Sequence, residues 1–342
     1  MKTRNLKQFV FAGILATLFA SCDTGETLSS GNPEKGDLEN GVLNGLLERD
    51  YTLDSRINYN LTGAFIVADG AKLTIPAGTQ IVAEAGGADV YVAVLKGGQI
   101  EIQGTVDNPV FMTSDAGESG DWGGLTICGD ATTTAGVDAE AEVGGFKYGG
   151  SDDADNSGSI KNLVIVGTGA QINTESQYNG VSFYAVGSET VVENIAVING
   201  ADDGVEFFGG TVSVKNIYLE NNEDDSIDWT EGWNGTVENA YIKHTIAGFS
   251  TALEGDKDNN NPKFINLTAV STVGGTALQF KKQSGGTITG LSLAGYAKNI
   301  DMKDGGALSN VQIDGQAASI SAAYDATASV DISEWTWKNA EL

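Results

Sequence analysis

A chain of 342 residues with 41% hydrophobic content has enough apolar material for a sizeable core, which excludes wholesale disorder. Its 46 acidic residues against 19 Lys and Arg, a formal charge of −27, repel phosphate backbones and anionic head groups, so nucleic acid is excluded as a partner and so is docking to a membrane by a basic patch. Two cysteines and one histidine leave almost no material for Cys/His zinc sites or cysteine–histidine catalysis, while 46 glycines with only 4 prolines suit many short strands joined by glycine turns.

Lys2, Arg4 and Lys7 precede an apolar stretch, Phe9 through Ala20, that is too short for a comfortable transmembrane helix and reads as a secretory signal over residues 1–21. The ending Phe19-Ala20-Ser21-Cys22 resembles a bacterial lipobox, with Phe19 in place of the commoner leucine. The resemblance implies a signal peptide cut before Cys22, a lipid such as palmitate on that cysteine, and an outer-membrane protein anchored at the cell surface. An ordinary signal cut near Ala20 is the plainer alternative. Losing residues 1–21 removes three positive charges and no acids, which takes −27 to −30, so only the lipid would hold the chain at a membrane. Residues 22–37 lack periodicity and read as a flexible tether. Residues 38–58 are predicted to form an N-terminal cap, helical over 38–50, where Leu38, Val42, Leu43, Leu46 and Leu47 alternate with polar partners.

From residue 59 to 322 the chain reads as a repeat. One phrase recurs as Ile160-Lys161-Asn162-Leu163, Val192-Glu193-Asn194-Ile195, Val214-Lys215-Asn216-Ile217, Val237-Glu238-Asn239-Ala240, Phe264-Ile265-Asn266-Leu267 and Leu308-Ser309-Asn310-Val311, with Gly290 keeping the frame. The intervals of 32, 22, 23, 27, 24 and 20 residues fall where a period means a solenoid. A second phrase keeps step, centred on Ser182, Glu206, Asp228, Ser250, Gln279 and Asp301. Each phrase alternates apolar, polar, apolar, which puts its apolar members on one face of a strand. Two or three such strands per 22 residues leave no room for helices, so the pattern predicts an all-β protein, a parallel β-helix of about twelve coils, and excludes leucine-rich and ankyrin repeats. The recurring asparagine predicts an amide ladder at the bends. The final segment, 323–342, with Val330-Asp331-Ile332-Ser333-Glu334-Trp335-Thr336-Trp337, is predicted to cap the far end.

Several phrases together resemble a family of Bacteroidetes secreted and lipid-anchored parallel β-helix proteins, mostly uncharacterised: Leu73-Thr74-Ile75-Pro76-Ala77-Gly78-Thr79 with Gly104-Thr105-Val106-Asp107-Asn108-Pro109-Val110, Trp122-Gly123-Gly124-Leu125, and Asp202-Asp203-Gly204-Val205-Glu206-Phe207-Phe208-Gly209-Gly210. The resemblance covers roughly residues 50 to 320. It implies a right-handed β-helix on an outer membrane and little about chemistry. Asp23 and Glu26 resemble, in sparser form, the acidic export signals of surface lipoproteins in that phylum.

The polar members of the second phrase form a column on the outside of the coils. Asp202 and Asp203, then Asp224 and Asp225 22 residues on, place four more carboxylates at its edge beside Glu206 and Asp228. This order is similar to polygalacturonase-type β-helix glycosidases, in which aspartates of consecutive coils flank the scissile bond; the similarity implies Asp202, Asp203, Asp224 and Asp225 as the acids and Lys281 with Lys282 as the basic pair. The family's histidine is missing, since Ala247-Gly248 stands at its place and His244 lies four residues before that glycine, and Gln279 replaces its arginine. Stacking at roughly 5 Å suits a nucleophile plus an acid, whereas inversion needs about 6.5 to 9.5 Å. Stacked like charges also raise one another's pKa and favour a shared proton or a bound cation. Catalysis, cation or glycan binding, and a solvated acidic face all stay open.

Asp153-Ala154-Asp155-Asn156-Ser157-Gly158 has the alternating oxygens and sixth-position glycine of a calcium loop, with Asp153, Asp155 and Ser157 as ligands, but Val164 stands at the twelfth position where such loops carry glutamate. Tyr184, Phe208 and Trp233 are candidate sugar-stacking aromatics if exposed, and Cys128 reads as an inert core residue. The leading expectation is a non-enzymatic surface lipoprotein, a β-helical rod presenting an acidic face to a glycan or a surface protein. The alternative is a polysaccharide-degrading hydrolase or lyase, which Lys281 or Lys282 within reach of Asp225 or Asp228 would favour.

Overall fold

The computed structural model describes residues 35–257, 259–324 and 330–339; the signal sequence, Cys22 and most of the expected tether lie outside the described residues. Three parallel ladders run the length of the coil, and every turn contributes one rung to each. The first ladder carries the second sequence phrase. Its inward rows are Phe65, Val92, Leu125, Val181, Val205, Ile227, Leu253, Leu278 and Ile300, and Val67, Val94, Ile127, Phe183, Phe207, Trp229, Gly255, Phe280 and Met302. These side chains stack in a central core that is continuous from Leu38 to Ala318. Side chains alternate across a strand, so the residue between the two inward rows must face out. The fold is thus the expected parallel β-helix.

Counting rungs of the first ladder from Gly45–Leu47 to Lys298–Met302 gives ten coils, fewer than the expected twelve. The difference is the segment between Cys128 and Gly158, which leaves the coil and pairs Ala139–Glu140 with Lys147–Tyr148 as an antiparallel hairpin. At about 4.8 Å per rung the stack is roughly 45 Å long.

The asparagine ladder sits at the bend between the second and third sheets. Asn162 Nδ2 donates to Gly104 O (2.8 Å), and Asn194, Asn216, Asn239 and Asn266 each donate to the amide oxygen of the asparagine one coil before, at 2.8–2.9 Å. All five adopt a left-handed backbone, φ 50–61°, the conformation that asparagine tolerates best after glycine. Gly290, φ +70°, continues the row. Asn310 does not; it precedes the strand Val311–Ile313, which pairs with Gly286–Ile288, and its amide bonds Gln283 O instead.

Both ends differ in detail from the sequence expectation. The helix near the N-terminus is confined to Lys35–Glu39, where Leu38 plugs the core, while Val42–Leu47 is already a strand of the first coil. At the far end, Val311–Ile313 turns back on Gln316–Ala317 in an antiparallel pair, and this hairpin, not the last twenty residues, terminates the stack. Residues 330–339 run back along the outside of the third sheet. Val330 N bonds Thr268 Oγ1 (3.1 Å), and Trp335 and Trp337 pack on the outward side chains Val164, Ala196 and Tyr218. Those outward positions are apolar, and burying them requires a strap along the side.

Candidate functional site

The outward column of the first ladder runs Ile66, Ala93, Thr126, Ser182, Glu206, Asp228, Glu254, Gln279, Asp301. Ser250 is not in it; Glu254 holds that rung. The upstream members are small or apolar and lie under the hairpin, whose Val143, Phe146 and Tyr148 pack with Ile66, Ala93, Tyr91 and Tyr178. Polar ties hold the hairpin down: Lys96 to Asp138 (2.5 Å) and Asp130 (3.2 Å), and Tyr148 OH to Glu231 Oε2 (2.8 Å), which Thr133 also donates to. From Glu206 through Glu254 the column is acidic, and Gln279 and Asp301 follow.

All six carboxylates singled out in the sequence converge, with Glu254 as a seventh. Three overlapping trios have carboxylate oxygens within 4.8 Å of one another: Asp202, Asp203 and Asp224; Asp203, Glu206 and Asp228; Asp225, Asp228 and Glu254. The spacing follows from the coil. Asp203 and Asp225 are two residues ahead of paired inward positions, Val205 and Ile227, so they stack at the strand entrance, while Glu206 and Asp228 pair directly. Asp224 is exposed and Asp202 half-buried, but Asp203, Asp225 and Glu254 are buried and Asp228 is 9% exposed. A solvated acidic face is therefore the wrong description of this column.

Few donors serve these oxygens. Asp203 Oδ1 accepts the Asp225 N–H (2.8 Å), Asp225 Oδ1 the Thr251 hydroxyl (2.5 Å), Asp228 Oδ1 the Trp229 N–H (2.6 Å), and Glu206 Oε2 the Asn179 amide (2.8 Å). Glu254 receives Gln279 on one oxygen and Lys281 Nζ (2.5 Å) on the other. Lys282 turns away to Asp256 (3.0 Å). Burial, and then neighbouring carboxylates, push Asp203, Glu206 and Asp228 well above the usual carboxyl range, and burial with Glu254 does the same to Asp225. Burial and Asp224 push Asp202 up to about 7. Burial works against the Lys281 ammonium, but the Glu254 carboxylate outweighs it and holds the lysine charged. Seven acids against one lysine cannot all ionise in such a place, so the site takes up protons or a cation.

One further side chain joins the cluster through Glu206. Asn179 is 4% exposed; its Nδ2 serves Ser182 and Glu206, and its Oδ1 has no hydrogen-bond partner. A buried acceptor without a donor, on a side chain bonded to the carboxylate cluster, is an oxygen open to a further donor or a cation.

The other expected sites fare differently. Asp153 and Asp155 are in no converging carboxylate group among the described residues; Asp153 Oδ1 accepts the Thr132 N–H, and Asp155 Oδ2 accepts the Ser157 hydroxyl and the Gly187 N–H, so these oxygens tie loops together. Tyr184, Phe208 and Trp233 are buried and stack on core rings, which removes them as sugar platforms. Cys128 is a buried free thiol that burial pushes up to about 12. His244 is buried against Phe249 between Ser226 and Tyr296, and burial lowers it to about 4.

No curated protein and no solved structure matches the chain. A family model described as a pectate-lyase like beta helix domain matches residues 45–340, from the first coil through the C-terminal strap. With the coil stack and that match in agreement, the chain belongs to the pectate-lyase like beta helix domain family.

Proposed function

We propose that the chain is a non-enzymatic β-helical rod, carried at the cell surface by a lipid on Cys22, whose acidic edge holds a divalent cation and through it a glycan or a surface protein. The observation that carries the reading is the row of three overlapping carboxylate trios beside the unpaired Asn179 oxygen. A hard cation such as calcium is held by oxygens, and each trio brings three carboxylate oxygens within 4.8 Å of one another, the trios together spanning three consecutive coils. At −27 the chain repels anionic polymers, and a shared cation is the simplest bridge to one.

A second reading, a polysaccharide-degrading hydrolase or lyase, is favoured by Lys281, which sits 2.5 Å from a carboxylate grouped with Asp225 and Asp228, and by the family description. Paired with Glu254 the lysine stays charged and is a charge stabiliser; it becomes a proton donor or base only if a cation takes Glu254 from it. Asp202, at about 7, is poised to trade a proton at neutral pH. A glycan array with and without calcium, followed by a reducing-end assay on each hit, separates the readings. Calcium-dependent binding without product supports the rod, product supports the enzyme, and the absence of any hit sinks both for glycans. The anchor has its own test: Cys22→Ser moves the chain to the soluble fraction, and membrane retention equal to wild type refutes it.

A further inference from the structure

Beside the acidic edge lies a cavity of about 210 Å³, built from turns of four coils and lined by Glu118, Ser119, Asn199, Asn221, Glu223 and Phe249, among others. Glu223 directly precedes Asp224, so the cavity adjoins the outermost carboxylate trio. Its two kinds of wall differ in chemistry. One side is apolar: Ile246, 61% exposed, with Ala247 and Phe249, whose ring is fixed by face-to-face stacking on His244 at 3.6 Å. The other lining residues are polar and only partly committed. Asn221 is spent on capping Thr245 and Ile246, but Asn199, held at φ +55°, has a side-chain amide without a partner among the described residues. Glu223 accepts only the Ser119 hydroxyl (2.5 Å), and none of the lining residues is basic.

An apolar patch beside amide and carboxylate groups in one cavity matches a pyranose ring, which shows a C–H face to one side and hydroxyls around its edge. Two carboxylates without a counter-cation reject an acidic sugar. We infer that this cavity is a subsite for one uncharged sugar ring, set next to the cation edge. The inference rests on the glycan-binding reading only for the identity of the polymer: a chain in which an anionic unit, bridged by the cation, is followed by a neutral one.

Saturation-transfer NMR on the full chain in EDTA tests the cavity apart from the cation. The probes are methyl β-D-glucopyranoside and methyl β-D-galactopyranoside, with D-glucuronate as the charged counterpart. The expected result is saturable transfer to at least one neutral glycoside and none to glucuronate. Asn199→Gly keeps the left-handed backbone while removing the amide, and Ile246→Ser alters a residue too exposed to matter for folding. At least one of them should weaken binding about fivefold, the loss of one neutral hydrogen bond or its apolar equivalent. No saturable transfer from either glycoside, equal binding of glucuronate, or unchanged affinity in both variants would overturn the inference. Loss of calcium-dependent glycan binding with neutral-glycoside binding intact would instead remove the cation reading and leave the cavity.

Discussion

Two columns of polar side chains climb the same coil at the same spacing, and they solve the stacking problem in opposite ways. In the asparagine row four amides each donate to the asparagine one coil before, and the first, Asn162, donates to Gly104 O, so the row needs no partner of opposite charge. In the stretch Glu206, Asp228, Glu254 the three carboxylates are acceptors only, and the deficit is met by Asn179, Lys281, the Trp229 N–H and Gln279, the next member of the column. Regular stacking multiplies whatever a side chain does: it turns a self-complementary group into structure and a self-repelling one into a site that needs a proton or a cation.

The comparison breaks first at the amide row. Asn216→Ala loses two ladder bonds and strains a left-handed residue, so it should cost about 2–3 kcal/mol in a denaturant unfolding experiment. Asn216→Gly keeps the backbone and should cost less; equal costs for the two would assign the whole effect to the amides.

The acidic row should show itself in pH. Asp202, Asp203, Glu206, Asp225 and Asp228 have folded-state pKa values raised above those of the unfolded chain. The folded state therefore binds more protons, and stability present below about pH 4 is lost as pH rises through the folded values, about 7 for Asp202. Each group contributes a slope of up to about 1.4 kcal/mol per pH unit in that window. Cation-free protein whose unfolding midpoint is flat or rises from pH 5 to 8 would contradict the buried acidic row.

Converting one row into the other is a sharper test. Asp228→Asn keeps the oxygen that accepts the Trp229 N–H and adds a donor between Glu206 and Glu254, so without calcium it should stabilise by about 1 kcal/mol at pH 8. Loss of stability would show that charge repulsion is not what limits this row. The smallest effect belongs to the exposed stack Lys161, Glu193, Lys215, Glu238. Lys215→Ala there removes a 3.7 Å surface pair and should change stability by less than about 0.5 kcal/mol, since stacked charge matters only where water is excluded.

The repeat, the amide row and six of the seven acids were legible in the sequence because period and alternation are local signals. Glu254 was not. Its strand reads Leu253-Glu254-Gly255, and a glycine stands where the pattern calls for a large apolar residue, because a Cβ at 255 would meet the Trp229 ring at 2.4 Å. The ring fills the space of two coils, and Phe249-Ser250-Thr251 imitated the missing phrase. The hairpin over the upstream column and the strap 330–339 were also missed. Their apolar residues bury outward positions of coils distant in sequence, and no periodicity announces such contacts.

The central claim, that the self-repelling row is a cation site, is tested most directly by calorimetric titration of calcium into EDTA-treated, dialysed protein at pH 7.5 and fixed ionic strength. The account predicts saturable uptake of at least one calcium per chain by the wild type. It predicts loss of that uptake in Asp203→Asn combined with Asp224→Asn, two members of one carboxylate trio. No saturable uptake, or equal uptake by the double variant, would contradict it.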